Sequence, residues 1–238
     1  MNLQQLETTE SVTAVVLFGS AARQDADAHS DTDILVLCNC SDLYALGQIR
    51  NDVIVPAIGR RDGVCCYRDI DFRSMARKGS LFLWHLKLQG RVLISKTGTY
   101  ESILETLRPY DNYEGDLKCY AELLADVTAS LRRYGALNEL DLSILFTIAR
   151  NACILLCYHE GTPEFGRSNP YLTARRLFDN TFPLDDWVYP ELCSWKLWYE
   201  RGVRPQSGIR MQLPRDALVE QIRGLLEFTA RKCTCKTC

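Results

Sequence analysis

The fold is decided by two neighbouring segments of the chain, Leu17-Phe18-Gly19-Ser20-Ala21-Ala22-Arg23 and Ser30-Asp31-Thr32-Asp33-Ile34-Leu35-Val36-Leu37. A β-branched, apolar run over Ser11–Leu17 leads into the first segment and has the length of a β-strand. The Gly-Ser pair then breaks the strand, and the two alanines suit the first turn of a helix. The second segment predicts another strand, which begins with two aspartates.

The glycine turn and the two aspartates predict a nucleotide site. Gly19 carries no side chain, so a bulky ligand can approach the backbone there, and free N–H groups at the helix start favour an anion such as a triphosphate. Asp31 and Asp33 are two positions apart, so on a strand both carboxylates face one side, beside the turn. Their hard oxygen ligands suit Mg²⁺ bridged to substrate phosphates. The alternative is a polar, solvated loop between two strands, which leaves both aspartates without a partner.

Ten residues separate the Gly-Ser pair from Asp-x-Asp, and this spacing resembles the signature of the polymerase-β-like nucleotidyltransferases. The pattern is most similar to the minimal nucleotidyltransferase (MNT) branch of that superfamily. The positions that match the MNT pattern are Gly19, Ser20, Ala22, Arg23, Ser30, Asp31, Asp33 and Ile34.

The resemblance implies transfer of a nucleoside monophosphate, AMP from ATP, to an acceptor hydroxyl or phosphate, with release of pyrophosphate. It implies that Asp31 and Asp33 are catalytic and bind Mg²⁺. The residues that it implies for nucleotide binding are Gly19, Ser20, Arg23 and Ser30. The acceptor stays open among a small molecule, a protein and an RNA end.

The third carboxylate of the resembled family falls on Cys65 in this chain, and a thiol is a poor ligand for Mg²⁺. Three explanations stay open. Asp62, Asp69 or Asp71 could supply the third carboxylate. Alternatively, two carboxylates and the nucleotide phosphates are enough to hold the metal, or the protein binds a nucleotide but does not catalyse transfer. For Asp69 and Asp71 we favour a role as first-turn acids of a helix.

Strand and helix signals alternate up to about residue 98 and become helical beyond it. Strands are predicted at Gly63–Tyr67 and Arg91–Ser95, and helices at Ser41–Gly59 and Asp69–Gly90. We therefore expect an α+β protein: a small mixed β-sheet nucleotidyltransferase domain over residues 1–98, followed by a C-terminal α-helical bundle over residues 99–238. The apolar segment Glu139–Glu160 is expected at the centre of that bundle.

Arg150-Asn151 interrupts this apolar helix. A buried guanidinium needs a partner, so Arg150 is expected to pair with Asp126 or Glu122 or to face the active cleft. A helical domain with Arg-Asn after a nucleotidyltransferase domain resembles the pairing of MNT with HEPN domains, and aminoglycoside nucleotidyltransferases also carry such a bundle. His159 lies too far along the chain for the HEPN ribonuclease pattern, so RNA cleavage is unsupported.

Composition bounds the remaining interpretations. The net charge of −2 means that the surface as a whole does not attract nucleic acid electrostatically. We expect no membrane-spanning run, no export signal, a reducing cytoplasm and eleven cysteines without structural disulfides. The tail Cys233-x-Cys235-x-x-Cys238 offers three zinc ligands, and we interpret it as a reduced chain end.

Two further segments have competing interpretations. His85 is expected to be a core or interface histidine rather than a catalytic one. The loop Phe165–Ser168 either touches phosphates or acceptor or is simply exposed. A second copy of the chain, bound through the helical domain to form a homodimer, also stays open as a partner. The competing function is a nucleotide-binding, antitoxin-like MNT/HEPN module that acts through a protein partner.

Overall fold

Four strands form one mixed sheet in the N-terminal part of the chain, as the sequence predicts. The computed structural model describes residues 1–24, 32–203 and 215–234. The strands are β1 (Val12–Phe18), β2 (Asp33–Cys38), β3 (Val64–Arg68) and β4 (Arg91–Ser95). Their order in the sheet is β3-β2-β1-β4, with β1 antiparallel to both neighbours and β2 parallel to β3. The predicted α+β class is confirmed.

Seven helices within the described residues accompany the sheet: α1 (Leu3–Thr8), α2 (Gly19–Arg23), α3 (Leu43–Ile49), α4 (Val55–Ile58), α5 (Asp69–Arg77), α6 (Leu81–Gln89) and α7 (Thr99–Glu105). A π-helical turn over Arg50–Ile54 joins α3 to α4. Leu35 and Leu37 of β2 pack against α5, α6 and α7, whereas Ile34 and Val36 pack against α1, α3 and α4. Both sheet faces are therefore covered, which explains why β2 is apolar almost throughout.

The continuous helix predicted over Asp69–Gly90 is wrong, because the chain breaks between α5 and α6 at Gly79. This glycine has φ +71°, and a Cβ built on it would lie 2.3 Å from the carbonyl oxygen of Pro109. The Arg108 N–H also donates to the Ala76 carbonyl, at 3.1 Å. The break lets residues 108–109 pass against the end of α5, a long-range contact that helical periodicity does not reveal.

Contacts divide the chain into two units, Met1–Asp111 and Asn112–Cys238, so α7 belongs to the first unit. The helices of the second unit are α8 (Tyr113–Tyr134), α9 (Glu139–His159), α10 (Asn169–Phe178), α11 (Val188–Arg201) and α12 (Arg215–Thr234). Helix α9 packs against each of the other four, as predicted for the centre of the bundle. It begins with a capping box between Asn138 and Asp141.

Helix α9 corrects the expectation that no segment reaches membrane-spanning length. Its mean hydropathy over the most apolar 18-residue window is 1.7, which is sufficient by length and composition to cross a bilayer. About 72% of that window is nevertheless buried inside the protein, as in the core helix of a bundle.

Candidate active site

Asp33 lies at the start of β2, directly opposite the end of β1. Its Cα pairs with that of Phe18, the last residue of β1, and α2 begins at the next residue, Gly19. Gly19 has φ +70°, and a Cβ built on it would lie 2.2 Å from Asp33 Oδ2. The structure therefore places the Asp33 carboxylate directly against the Gly-Ser turn, in a space that any side chain at position 19 would fill.

The other half of the predicted carboxylate pair lies outside the described residues. Asp31 and Ser30 fall within residues 25–31, and the description resumes at Thr32. That both aspartates face one side, and that Ser30 binds the nucleotide, stay predictions.

Ser20 and Arg23 lie on the short helix α2, beside the Asp33 carboxylate. Ser20 is partly exposed, and its carbonyl accepts a hydrogen bond from the N–H of Gln24, which has φ 63° and ends the helix. Arg23 Nη1 donates to Gln89 Oε1 at 3.2 Å. The end of α6 therefore helps to hold the Arg23 guanidinium, a role for Gln89 that the sequence did not signal.

Cys65 occupies the sheet position where the resembled family has its third carboxylate. It pairs with Leu35 in the parallel ladder, so its side chain lies on the face of the sheet that also carries Asp33. Burial raises the pKa of the Cys65 thiol, and the negative charge of Asp33 raises it further. A neutral thiol therefore stands on the same face as the carboxylate.

Two of the candidate substitute acids lie at the opposite end of the sheet. Asp69 Oδ1 accepts a hydrogen bond from the Thr13 hydroxyl at 2.7 Å, beside the start of β1. Asp71 binds Arg68 through two hydrogen bonds of 2.6 and 2.8 Å, and this pairing lowers the pKa of the Asp71 carboxyl. Because a strand rises about 3.3 Å per residue, the length of β2 separates both acids from Asp33. Both lie in the first turn of α5, as favoured from the sequence.

Asp62 lies at the same end of the sheet as Asp33. It immediately precedes Gly63, whose carbonyl accepts the N–H of Ile34 at 2.7 Å, and the Asp62 side chain is exposed. Of the three acids considered from the sequence, Asp62 is therefore the one placed near the predicted site.

The donor chemistry at this end of the sheet fits a magnesium ion. The Asp33 carboxylate, packed against the bare Gly19 backbone, offers oxygen atoms of the hard kind that Mg²⁺ prefers. Within the described ranges, no cluster of three or more histidine, cysteine or acidic side chains is arranged to hold a metal. Asp31, the second predicted ligand, lies outside those ranges.

His85 packs within an aromatic cluster behind the turn. Its ring meets Phe18 edge-on with a centroid separation of 5.9 Å, and Phe82 meets Phe18 in the same manner at 5.6 Å. This packing agrees with the interpretation of His85 as a core histidine.

Arg150 is anchored in part by backbone carbonyls of a neighbouring loop. Its Nε donates to the Gly166 carbonyl at 3.0 Å, and its Nη2 donates to the Phe165 carbonyl at 2.5 Å. Tyr189 Oη donates to the Arg167 carbonyl at 2.5 Å. Arg150 and Tyr189 together hold the loop that was a candidate for acceptor contact, and Arg150 acts there as a structural clamp.

The cysteine-rich tail is described up to α12. Burial raises the pKa of the half-buried Cys233 thiol to about 12, so this thiol is protonated at neutral pH. Cys235 and Cys238 lie outside the described residues, and the reduced tail stays a prediction.

The comparison with protein families places the same part of the chain in a known family. Residues 3–98 match the family described as polymerase beta, nucleotidyltransferase. The N-terminal part of this chain is therefore a nucleotidyltransferase domain, and the activity class of the protein is nucleotidyl transfer.

Two of the solved structures that match show a distant likeness. One is described as a toxin-antitoxin with AMP-PNP, and another as a mutant of the toxin-antitoxin MntA-HpeT. Each is 20% identical with a TM-score of 0.31, and covers 56% of this chain and 95% or 94% of the other chain. Likeness at that level assigns neither fold nor function here. No curated protein matches the chain.

Proposed function

We propose that this protein is a Mg²⁺-dependent nucleotidyltransferase that moves AMP from ATP to an acceptor hydroxyl or phosphate and releases pyrophosphate. The observation that carries the proposal is the Asp33 carboxylate against the bare backbone of Gly19, within a domain that matches the nucleotidyltransferase family. The match supports the transfer class, and the choice of magnesium and adenylate is our proposal.

Each residue of the site has a proposed task. Asp33 and Asp31 hold the metal, Gly19 and Ser20 bind the β- and γ-phosphates, and Ser30 binds the nucleotide beside them. The Arg23 guanidinium, positioned by Gln89, neutralises charge that develops on the leaving pyrophosphate. Bound magnesium would supply charge neutralisation on the triphosphate and a lower pKa for the attacking oxygen.

The position of Cys65 favours a second candidate function, nucleotide binding without transfer, in which the chain acts through a protein partner. Because Cys65 replaces a carboxylate with a neutral thiol on the face of Asp33, the metal site has one hard ligand fewer there. Asp62 is the proposed substitute for the enzyme, since it lies at the same end of the sheet.

The test uses ATP labelled either at the α-phosphate or at the γ-phosphate, with Mg²⁺ and pools of small molecules, proteins and RNA as acceptors. Nucleotidyl transfer moves the α-label to an acceptor and leaves the γ-label in pyrophosphate. We expect Asp31→Asn and Asp33→Asn to lower α-label transfer by roughly a hundredfold or more. Asp62→Asn is expected to lower it less.

Asp52→Asn is the matched control, because Asp52 is an exposed acid of the same unit. Undiminished transfer by Asp33→Asn refutes the proposed site. Nucleotide binding by the wild-type protein with no α-label transfer to any pool supports the second candidate instead.

We also propose a cytoplasmic location and leave homodimerisation through the helical unit as a prediction. Among the described cysteines no disulfide forms, and burial raises the pKa of Cys38 to about 12 and that of Cys66 to about 11. Such thiols behave as small apolar side chains in a reducing compartment. Light scattering of the full chain measures its oligomeric state.

A further inference from the structure

Residues 59–63 connect α4 to β3 and lie against the backbone on either side of Asp33. The loop has the sequence Gly59-Arg60-Arg61-Asp62-Gly63. Gly59 ends α4 with φ +82°, and its N–H donates to the Val55 carbonyl at 2.8 Å. The left-handed conformation at Gly59 turns the chain out of the helix and into this loop.

The loop contacts the backbone on both sides of Asp33. Arg60 Nη2 donates a hydrogen bond to the Thr32 carbonyl oxygen. The same oxygen would lie 2.7 Å from a Cβ built on Gly63, and Gly63 has φ +70°. On the other side, the Ile34 N–H donates to the Gly63 carbonyl at 2.7 Å. Position 63 therefore requires glycine, because a side chain there would clash with the Thr32 carbonyl oxygen.

We infer that Arg60 is a positioning residue for the Asp33 carboxylate, the described member of the proposed metal site. Thr32 directly precedes Asp33, so the orientation of the peptide group between them sets the direction in which the Asp33 side chain leaves the backbone. A charge-assisted hydrogen bond from the guanidinium fixes the Thr32 carbonyl from one side while Gly63 limits it from the other. The inference rests on the proposed function, since it assigns Arg60 a task in that same metal site.

Carboxylates in a functional site must be held to within about 0.5 Å of the productive geometry. Without the Arg60 guanidinium, the Thr32 carbonyl loses one of the two groups that restrain it, and the Asp33 side chain is held less firmly over Gly19. The metal affinity of the site then falls, because the ligands must be ordered again each time the ion binds. Removal of a supporting group of this kind costs roughly ten- to a hundredfold in metal affinity.

The chain supplies its own control in the neighbouring Arg61. Arg61 has the same charge and lies in the same loop, but its side chain is exposed. Arg60→Ala and Arg61→Ala therefore remove the same charge, and they differ in the hydrogen bond to Thr32. Arg60→Lys keeps the charge and one donor, so it should restore part of the affinity.

The experiment measures Mn²⁺ binding by the full-length protein in the presence of AMP-PNP, from the electron paramagnetic resonance signal of free Mn²⁺. No turnover is needed for this measurement. We expect Asp33→Ala to abolish site binding, Arg60→Ala to weaken it roughly tenfold, Arg60→Lys to weaken it less, and Arg61→Ala to match the wild type. Thermal unfolding of each variant identifies any that has lost its fold, and Arg60→Lys then carries the comparison.

The outcomes separate the two proposals. Loss of binding in Asp33→Ala together with wild-type or tighter binding in Arg60→Ala overturns the role of Arg60 and leaves the proposed function standing. Equal weakening by Arg60→Ala and Arg61→Ala also overturns it, because a diffuse charge effect then explains both. Unchanged binding in Asp33→Ala rejects the metal site itself, and the inference with it.

Discussion

The Asp33 carboxylate lies so close to Gly19 that a Cβ at position 19 would stand 2.2 Å from Asp33 Oδ2. Position 19 thus disfavours a side chain on two separate grounds, the φ of +70° and the space taken by the carboxylate. The predicted phosphate turn and the predicted metal ligand are one packed unit, and a change in either displaces the other.

Gly19→Ala is therefore expected to damage activity far more than stability. The positive φ costs about 1–2 kcal/mol for a residue with a Cβ, which corresponds to a loss of several degrees in Tm. The methyl group also forces the Asp33 carboxylate to move by about 1 Å, and a misplacement of that size costs roughly a hundredfold in transfer rate. Thermal unfolding and α-label transfer from ATP measure the two effects.

Gly98→Ala is the control for the backbone strain. Gly98 lies in the same unit with φ +64°, but a Cβ built on it meets nothing within 4 Å. It should lose a similar amount of stability and keep its transfer activity. Equal losses of activity in both variants would show that strain alone, and not displacement of Asp33, explains the effect.

Cys65→Asp is predicted to strengthen metal binding. The new carboxylate would stand on the face of the sheet that carries Asp33, where the resembled family has its third acid. Without metal, repulsion between the two carboxylates lowers the Tm of the variant. With Mg²⁺ present, the extra oxygen ligand lowers the Mg²⁺ concentration needed for half-maximal transfer by roughly tenfold. A titration of transfer activity and of Tm against Mg²⁺ measures both effects.

Cys65→Ser is the control for Cys65→Asp, since it removes the thiol without adding a charge. We expect its Mg²⁺ requirement to match that of the wild type. A large loss of transfer in Cys65→Ser would mean that the thiol itself takes part, contrary to our interpretation of a neutral bystander.

The two strands and the turn between them could be predicted, because short sequence patterns specify them. The β-branched run before Gly19, the Gly-Ser break and the apolar run after Asp33 together specify two strands and a turn. Strand period then predicts that Asp33 faces the turn, and the pairing of Phe18 with Asp33 realises that arrangement.

The parts that escaped prediction depend on contacts distant in sequence. Gly79 breaks the helix predicted over Asp69–Gly90 because the Pro109 carbonyl, thirty residues away, occupies the space beside it. Arg60 donates a hydrogen bond to the Thr32 carbonyl, and Arg23 donates one to Gln89. Sequence periodicity predicts neither of these contacts. The carbonyl partners of Arg150 could not be read from the sequence, because any backbone carbonyl can accept a hydrogen bond from a guanidinium.

The buried thiols should resist alkylation in the native protein. Burial and neighbouring groups raise the pKa of Cys38 to about 12, so the reactive thiolate is scarce there at pH 8. The exposed Cys119 should therefore react with iodoacetamide much faster than Cys38, as measured by mass spectrometry of peptides. Equal native rates at Cys38 and Cys119 would contradict the burial of Cys38, and unfolding in urea should remove the difference.

The same shift gives the protein a pH-dependent stability at the alkaline end. Because the folded pKa of Cys38 lies above the unfolded value, the folded state keeps its proton longer. Its contribution is complete below the unfolded pKa near 9 and is lost as the pH rises toward 12. Urea unfolding between pH 8 and pH 11 should show a falling midpoint, and Cys38→Ala should fall less steeply than the wild type.

Arg150→Met should destabilise the helical unit by about 2–6 kcal/mol. Methionine keeps the apolar stem but leaves the carbonyls of Phe165 and Gly166, both in buried residues, without the guanidinium donors, and each unsatisfied carbonyl costs about 1–3 kcal/mol. Arg150→Lys should lose less, because one ammonium can satisfy one of the two carbonyls. Urea unfolding measures the stability, and limited tryptic cleavage after Arg167 reports whether the loop has opened. An unchanged midpoint with an intact loop in Arg150→Met would contradict the clamp and return Arg150 to consideration as a functional residue.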